Sequence, residues 1–409
     1  MLKNYFKIAI AVLKRRKFFT FISLFGISFT LTILMVATAF IDKLINDPYP
    51  DNKRDRSLYI NKLEQRAKQY QQVGPPSFYF LDHYAGSLKT PVKLAISSLF
   101  RPSNTYVNNK KIVVNYKHTN ADYWDVLEYE FLEGKPFTKQ QIANAELVTV
   151  ISEDIKKKYF GTDGNVVGRY IEADNVKYRI CGVVRSVPVT AYQFYSDIYL
   201  PYTVSKLDYK NKDYGGAYVG ILLADSKADV PAMKSEYEAL VQKIPPQNKD
   251  FDKIFSHANS YFESYVNIGN EKLSGITIVT TVLGLFALLV MLLPTLNLVN
   301  INITRIMERS SEIGVRKAFG ASSRTLVYQF IVENLILTFM GGLIGIFFTF
   351  IVIGLINQAK LIDNLYLTIN LTVLLYALAT CIVFGLLSGV YPAWRMSKLN
   401  VVNALKQTN

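Results

Sequence analysis

Ile276–Val299, ITIVTTVLGLFALLVMLLPTLNLV, runs directly into Ile301–Ala321, INITRIMERSSEIGVRKAFGA, and the change of character between them decides the fold. The first stretch has no charged side chain, and about 20 such residues cross a hydrocarbon core of roughly 30 Å as a helix. The second carries Arg305, Glu308, Arg309, Glu312, Arg316 and Lys317 before the apolar character resumes at Leu326. Working outward, Phe18–Ile41, Leu326–Ile356 and Ile369–Val390 are three more apolar windows of spanning length. The long interval between the first window and Ile276 is polar and globular in texture. With 409 residues, 50% of them hydrophobic and 19% charged, the chain is too apolar for an ordinary soluble protein and too charged to lie wholly in lipid.

These windows predict an α-helical membrane protein with four transmembrane helices and a large α+β extracytoplasmic domain between the first and second. The expected boundaries are 1–17 for a cytoplasmic interfacial helix, 18–41, 276–299, 326–356 and 369–390 for the spans, and 42–275 for the outer domain. Residues 300–325 form a cytoplasmic loop, 357–368 an extracytoplasmic turn and 391–409 a cytoplasmic tail. Charge sets the sides. The N-terminal lead, the loop and the tail hold 14 Lys and Arg against Glu308 and Glu312, whereas the outer domain, with 31 basic and 28 acidic residues, is almost balanced. Basic loops stay inside, so both termini are expected in the cytoplasm of a bacterial cell bounded by this inner membrane. The net charge of +14 then reports topology and contact with anionic lipid rather than nucleic acid.

Lys14-Arg15-Arg16-Lys17 before an apolar run imitates a signal peptide, but the run is longer than the roughly 7–15 residues of a signal core, so an uncleaved anchor is expected. Residues 2–18 place Tyr5, Val12 and Leu13 on one helical face. They form either an interfacial helix or a basic flank that orients the span.

In the outer domain, Leu147–Ile151 reads as a strand, Ser152 as the start of a helix and Gly161 as its end. Arg169–Ala173 and Val176–Val184 flank Asp174-Asn175 as a hairpin, with Tyr170 and Tyr178 expected in a core. The proline-punctuated stretch after the first span reads as loops and short helices. Phe251–Ser274, poor in breakers, reads as an outward extension of the second span. The many tyrosines are better explained as sheet packing than as sugar platforms.

Catalytic motifs are missing. There is no P-loop pattern to cradle a nucleotide, no H-E-x-x-H around His83, His118 or His257, and no G-x-S-x-G elbow. No catalytic, cofactor-binding or metal-binding residue is therefore assigned. Cys181 and Cys381 lie at different levels of the topology and imply no disulfide. Glu333 is an ionisable residue inside a span, expected to pair with a neighbouring helix or snorkel, and one carboxylate makes a poor proton relay. Gly341, Gly342 and Gly345 offer a close approach to another helix, Gly341 and Gly345 at G-x-x-x-G spacing. Pro294 predicts a kink in the second span. In the loop, Glu312 precedes Arg316 by four residues, the favourable order on a helix, Gly320 ends that helix, and Ser322 or Ser323 caps the third span.

SEIGVRKAFGAS, then QFIVENLILTFMGGLIG, then SGVYPAWRMSKLNVVNAL resemble the MacB/FtsX-type permease subunits of ABC transporters. DYWDVLEYEFLEGKPF, VISEDIKKKYFG, NVVGRYI and YRICGVVRSVP are similar to the periplasmic core domain of that family. The resemblance implies a non-catalytic, mechanotransmitting membrane subunit that pairs with a second copy or a paralogue. ATP would be bound and hydrolysed by a separate ABC ATPase chain, with no cofactor held here. It further implies that Glu312, Ile313, Gly314, Val315, Arg316, Lys317, Phe319 and Gly320 form the ATPase-coupling segment. Glu312, Arg316 and Lys317 would supply polar docking contacts, and Ile313, Val315 and Phe319 apolar anchors. The implied role is export or envelope maintenance. The alternative is an FtsX-like regulator or receptor that controls a cell-wall enzyme or senses an envelope ligand, with membrane lipids and a periplasmic adaptor or hydrolase as partners.

Overall fold

The computed structural model describes residues 10, 15, 17–46, 49–107, 110–161, 164–206, 209–267, 275–308, 315 and 322–397. It divides into an outer unit, Ile45–Thr280 with Ile362–Leu365, and a helical unit, Met1–Leu44, Thr281–Leu361 and Tyr366–Asn409.

The outer unit is built on strands Ser57–Ile60 (β1), Leu63–Arg66 (β2), Gln71–Gly74 (β3), Lys93–Ser98 (β4), Arg101–Val107 (β5), Lys110–Thr119 (β6), Phe131–Gly134 (β7), Val148–Ser152 (β8), Tyr170–Ala173 (β9), Val176–Val184 (β10), Ile198–Pro201 (β11), Tyr218–Leu223 (β12) and Lys253–Ser256 (β13). The main sheet runs β1-β12-β4-β6-β11-β8-β10-β7, with β5 on β6 and β9 on β10; β13-β2-β3 form a second sheet. Pairing is antiparallel except for β10 with β8 and β11 with β6. Short helices Tyr123–Val126 (α2), Lys139–Ala143 (α3), Glu153–Phe160 (α4), Val230–Val241 (α5) and Tyr261–Val266 (α6) cover it, while Lys17–Asn46 (α1), Gly275–Glu308 (α7), Ser323–Ala359 (α8) and Leu371–Ser397 (α9) are the long apolar helices.

Both faces of the main sheet are buried. Leu58 and Ile60 of β1 pack with Phe80, Leu222, Met233 and Tyr237, while Tyr59 between them packs with Tyr123, Phe194, Tyr199 and Tyr261. A third core joins Val114, Ile155, Ile171, Tyr178 and Ile198. Each large apolar side chain so buried stabilises the fold by about 1.5–3 kcal/mol. A strand covered on both sides loses the alternation of polar and apolar residues. For that reason the stretch after the first span contains β1, β2 and β4, with exposed β3 paired at the edge of the second sheet, besides the expected short helices at Arg54–Arg56, Phe80–Tyr84 and Ala85–Ser87.

Local signals behave as the residues demand. Ser152 accepts a hydrogen bond from the Ile155 amide at the start of α4, and Gly161 ends that helix with φ of 86°. β9 and β10 pair across Asp174 and Asn175, both at positive φ, a two-residue turn that matches strand twist. Tyr178 is in the core, but Tyr170 is 59% exposed, a correction that follows from register: Tyr178 lies opposite Ile171, so Tyr170 points to the other face. The expected helical extension over Phe251–Ser274 is also corrected. It contains β13, paired with β2 almost 190 residues earlier, and the six-residue α6 behind a Ser260/Glu263 capping box; residues 268–274 lie outside the described residues.

In the helical unit, Lys17–Asn46 and Ile331–Ala359 are long and apolar enough to cross a membrane, and Gly275–Val290 and Leu374–Leu387 are shorter apolar stretches. Helix α7 continues through Pro294. Phe21, Phe25 and Phe29 stack along an exposed face of α1, as a lipid-facing surface requires.

Candidate functional site at the helix interface and the domain root

Of the coupling segment expected at Glu312–Gly320, only Val315 is described; it is helical and 45% exposed. Glu312, Ile313, Gly314, Arg316, Lys317, Phe319 and Gly320 lie outside the described residues, as does almost all of the N-terminal lead. Just beyond the segment, the Ser322 hydroxyl accepts from the Thr325 amide at 3.2 Å and caps α8.

The three glycines lie on α8 and meet different neighbours. A Cβ on Gly341 would stand 2.8 Å from Ile27, and one on Gly345 3.0 Å from the Ser28 carbonyl oxygen and 3.1 Å from Leu31. Thr32 Oγ1 donates across to the Gly345 carbonyl at 3.1 Å, and Thr349 lies against Met35. The pairs Ile27 with Gly341, Leu31 with Gly345 and Met35 with Thr349 advance together, so α1 and α8 run parallel. Gly341 and Gly345 thus serve packing inside one chain. Gly342 faces Leu378 of α9, and a Cβ on Gly385 of α9 would stand 2.2 Å from Thr338 Oγ1, so α9 returns antiparallel to α8. With only hydrogen in place of a side chain, helices approach closely enough for their backbones to interlock. Glu333 is 1% exposed on α8, beside buried Asn334.

A second constellation, not anticipated from sequence, sits where the chain enters and leaves the outer domain. Arg54 donates through Nη1 to the Ile45 carbonyl at 2.5 Å, in the last turn of α1. Its Nε donates to Asp51 Oδ2 at 3.1 Å. Its guanidinium carbon lies 3.6 Å above the ring of Tyr261 in α6. The Tyr59 hydroxyl donates to the same Asp51 oxygen, while Asp51 Oδ1 is buried without a partner. Helix α6 is in turn pinned to the domain: Asn61 donates to the Ser264 carbonyl at 2.6 Å, Gln193 donates to Ser264 Oγ at 2.9 Å, and Phe194 stacks on Tyr261. Asn267 accepts from the Gly275 amide, the first residue of α7.

Burial pushes the Asp51 carboxyl up to about 6, against the pull of the Tyr59 hydrogen bond and the Arg54 charge. Burial lowers the Arg54 pKa, yet Tyr261 and Asp51 together raise it above its ordinary value. Asp51 is wholly buried with one oxygen unsatisfied, so desolvation outweighs Coulomb attraction there.

Three of the tyrosines are structural. Tyr123, Tyr129 and Tyr199 are buried, and their hydroxyls converge on the Phe194 carbonyl. His83 is exposed whereas burial pushes His118 down to about 4, and among the described residues no group of His, Cys, Asp or Glu is placed to hold a metal. Cys181 donates to the Thr149 carbonyl, and burial pushes its thiol up to about 12, which makes it inert.

Two helices long and apolar enough to cross a membrane, in a chain that also folds a large mixed α+β unit, are the features of a membrane-associated protein. Residues 20–240 match the model of the MacB-like periplasmic core domain, and residues 284–401 that of the FtsX-like permease C-terminal domain. The chain belongs to this MacB/FtsX-like family of ABC transporter permeases. Among curated relatives, it is 26% identical over 312 residues to the pyoverdine export ATP-binding/permease protein PvdT of Pseudomonas fluorescens, covering 73% of this chain and 45% of that protein. It is also 26% identical over 304 residues to the macrolide export ATP-binding/permease protein MacB of Mannheimia succiniciproducens, covering 73% and 44%. An uncharacterized ABC transporter permease of Bacillus subtilis, YvrN, is 23% identical over 305 residues, covering 70% and 68%. The chain thus spans about half the length of the first two relatives. The periplasmic region of MacB from Actinobacillus actinomycetemcomitans aligns over 59% of this chain and 97% of its own length, at 14% identity and a TM-score of 0.38.

Proposed function

We propose that this chain is the permease subunit of an ABC transporter with four spans and cytoplasmic termini, working as one half of a pair with a second copy or a paralogue. In this reading a separate cytoplasmic ATPase binds and hydrolyses ATP and pushes on Glu312–Gly320, and the spans pass that movement to the extracellular domain. The subunit itself is non-catalytic, and the output is export or envelope maintenance. PvdT and MacB are named as ATP-binding/permease proteins, which supports pairing of this membrane architecture with ATP hydrolysis.

One observation carries the reading. The matched permease region, 284–401, encloses the charged segment around Glu312 between two apolar helices, and the basic residues of that segment support a cytoplasmic position. A lever placed there can receive force from the cytoplasm.

The test pairs the full chain in nanodiscs with the ABC ATPase that copurifies with it. Glu312→Ala with Arg316→Ala removes the polar docking contacts and is expected to lower permease-stimulated ATP hydrolysis by about tenfold or more. Hydrolysis by the free ATPase should not change. Full stimulation in the double variant refutes the docking assignment. Labelling of Val315→Cys by an impermeant thiol reagent in intact cells refutes the sidedness. ATP-dependent extrusion of a compound would assign transport, and ATP-dependent change in a cell-wall hydrolase would assign regulation.

A further inference from the structure

The root of the outer domain gathers more polar chemistry than a structural joint needs. Arg54 is the only described side chain that touches the end of α1, the buried Asp51 and the ring face of α6 together. Helix α6 is the last element before the chain continues to α7, whose first amide is held by Asn267. Asp51 has no exposed surface, and one of its oxygens has no hydrogen-bond donor.

We propose that Asp51, Arg54, Tyr59 and Tyr261 form a proton-operated clasp: with Asp51 protonated the root buries no carboxylate charge and the last turn of α1 stays tied through Arg54 to α6, and ionisation of Asp51 loosens this root. The groups that face the Asp51 carboxyl are Arg54 from the turn that follows it, Tyr59 from β1, and Tyr261 from α6 with Tyr265 hydrogen-bonded behind it; Tyr123 of α2 also feels its charge. Only Asp51 among these titrates in the range an extracellular domain meets. Its folded pKa lies near 6, above the ordinary 3.8. The contribution of such a group to stability is full below about pH 4 and is lost as pH rises through about 6. Ionised Asp51 is thus the costly state, kept in place by Arg54 and Tyr59, and mild acid readily supplies the proton. The neutral acid relieves that cost, while the Ile45 carbonyl and the Tyr261 ring continue to hold the guanidinium.

This inference goes beyond ATPase coupling and is tested without it. Hydrogen exchange of the full chain in nanodiscs, corrected for the intrinsic dependence on pH, is followed over residues 45–60 and 259–267, with β12 as the internal reference. Between about pH 7.5 and about pH 5, exchange in the two root peptides is expected to fall about tenfold, because opening solvates Asp51 and is favoured only while the carboxyl is ionised, while β12 does not change. Asp51→Asn, which mimics the neutral acid, should show the slower exchange at both pH values. Tyr59→Phe removes a hydrogen bond that favours the carboxylate, so its midpoint should move to higher pH. Exchange in the wild type that does not respond to pH, or a full response in Asp51→Asn, overturns the clasp. If Asp51→Asn does not fold, Tyr59→Phe decides alone: an upward shift supports the clasp and an unmoved midpoint overturns it. Neither result bears on whether an ATPase engages Glu312, so failure here and failure of the coupling reading remain separable.

Discussion

Lys117 permits the sharpest numerical prediction. It lies on β6 opposite Tyr199, has no exposed surface, and donates through Nζ to the Gln193 carbonyl at 2.5 Å. Burial pushes its pKa from 10.5 down to about 7. The folded chain therefore releases this proton near pH 7 while the unfolded chain keeps it to about 10.5, so stability rises with pH across that window. The whole shift corresponds to about 5 kcal/mol, of which about 2 kcal/mol falls between about pH 7 and about pH 9. Lys117→Met fills similar volume without the charge and should remove that rise. The assay is urea unfolding of the full chain in detergent, read by Trp124 after Trp394→Phe removes the only other tryptophan. Subtracting the variant from the wild type cancels Cys181 and the buried tyrosines, whose raised pKa values reduce stability from about pH 9 upward. Parallel pH curves for the two proteins would mean that Lys117 stays charged in the core, and would refute the argument.

Two further outcomes test local packing. Gly341→Val, whose Cβ would meet Ile27 at 2.8 Å, should separate α1 from α8 and lower the thermal midpoint in detergent, whereas Gly284→Val, which meets nothing within 4 Å, should not. Ser152→Ala removes the hydroxyl that accepts from the Ile155 amide and should cost about 1 kcal/mol in urea unfolding, with Ser152→Thr recovering most of it.

The candidate site was legible only where its signal is local. Gly341 and Gly345 announce a close helix approach by spacing alone, but nothing in that spacing says which helix arrives, and the answer is α1, more than 300 residues earlier. Arg54 reads in sequence as one charge among the neighbours Lys53, Asp55 and Arg56. Its role comes from Tyr261, about 200 residues away, whose ring it covers, and no pattern near either residue signals the meeting. Tyr170 was misassigned because a hairpin reveals its turn but not which face of it is covered.

By itself the sequence determined whatever depends on neighbours within a few residues: the long apolar helices, the Ser152 and Ser322 caps, the Asp174-Asn175 turn and the family motifs. Tertiary structure alone decided that β1 to β4 are strands, that Phe251–Ser274 holds β13 and α6, and that Arg54 joins the end of α1 to α6. The physical reason is burial from both sides. Once both faces of a strand are covered, and once an ion pair draws its partners from distant segments, the energy that specifies the structure resides in contacts that no local period records.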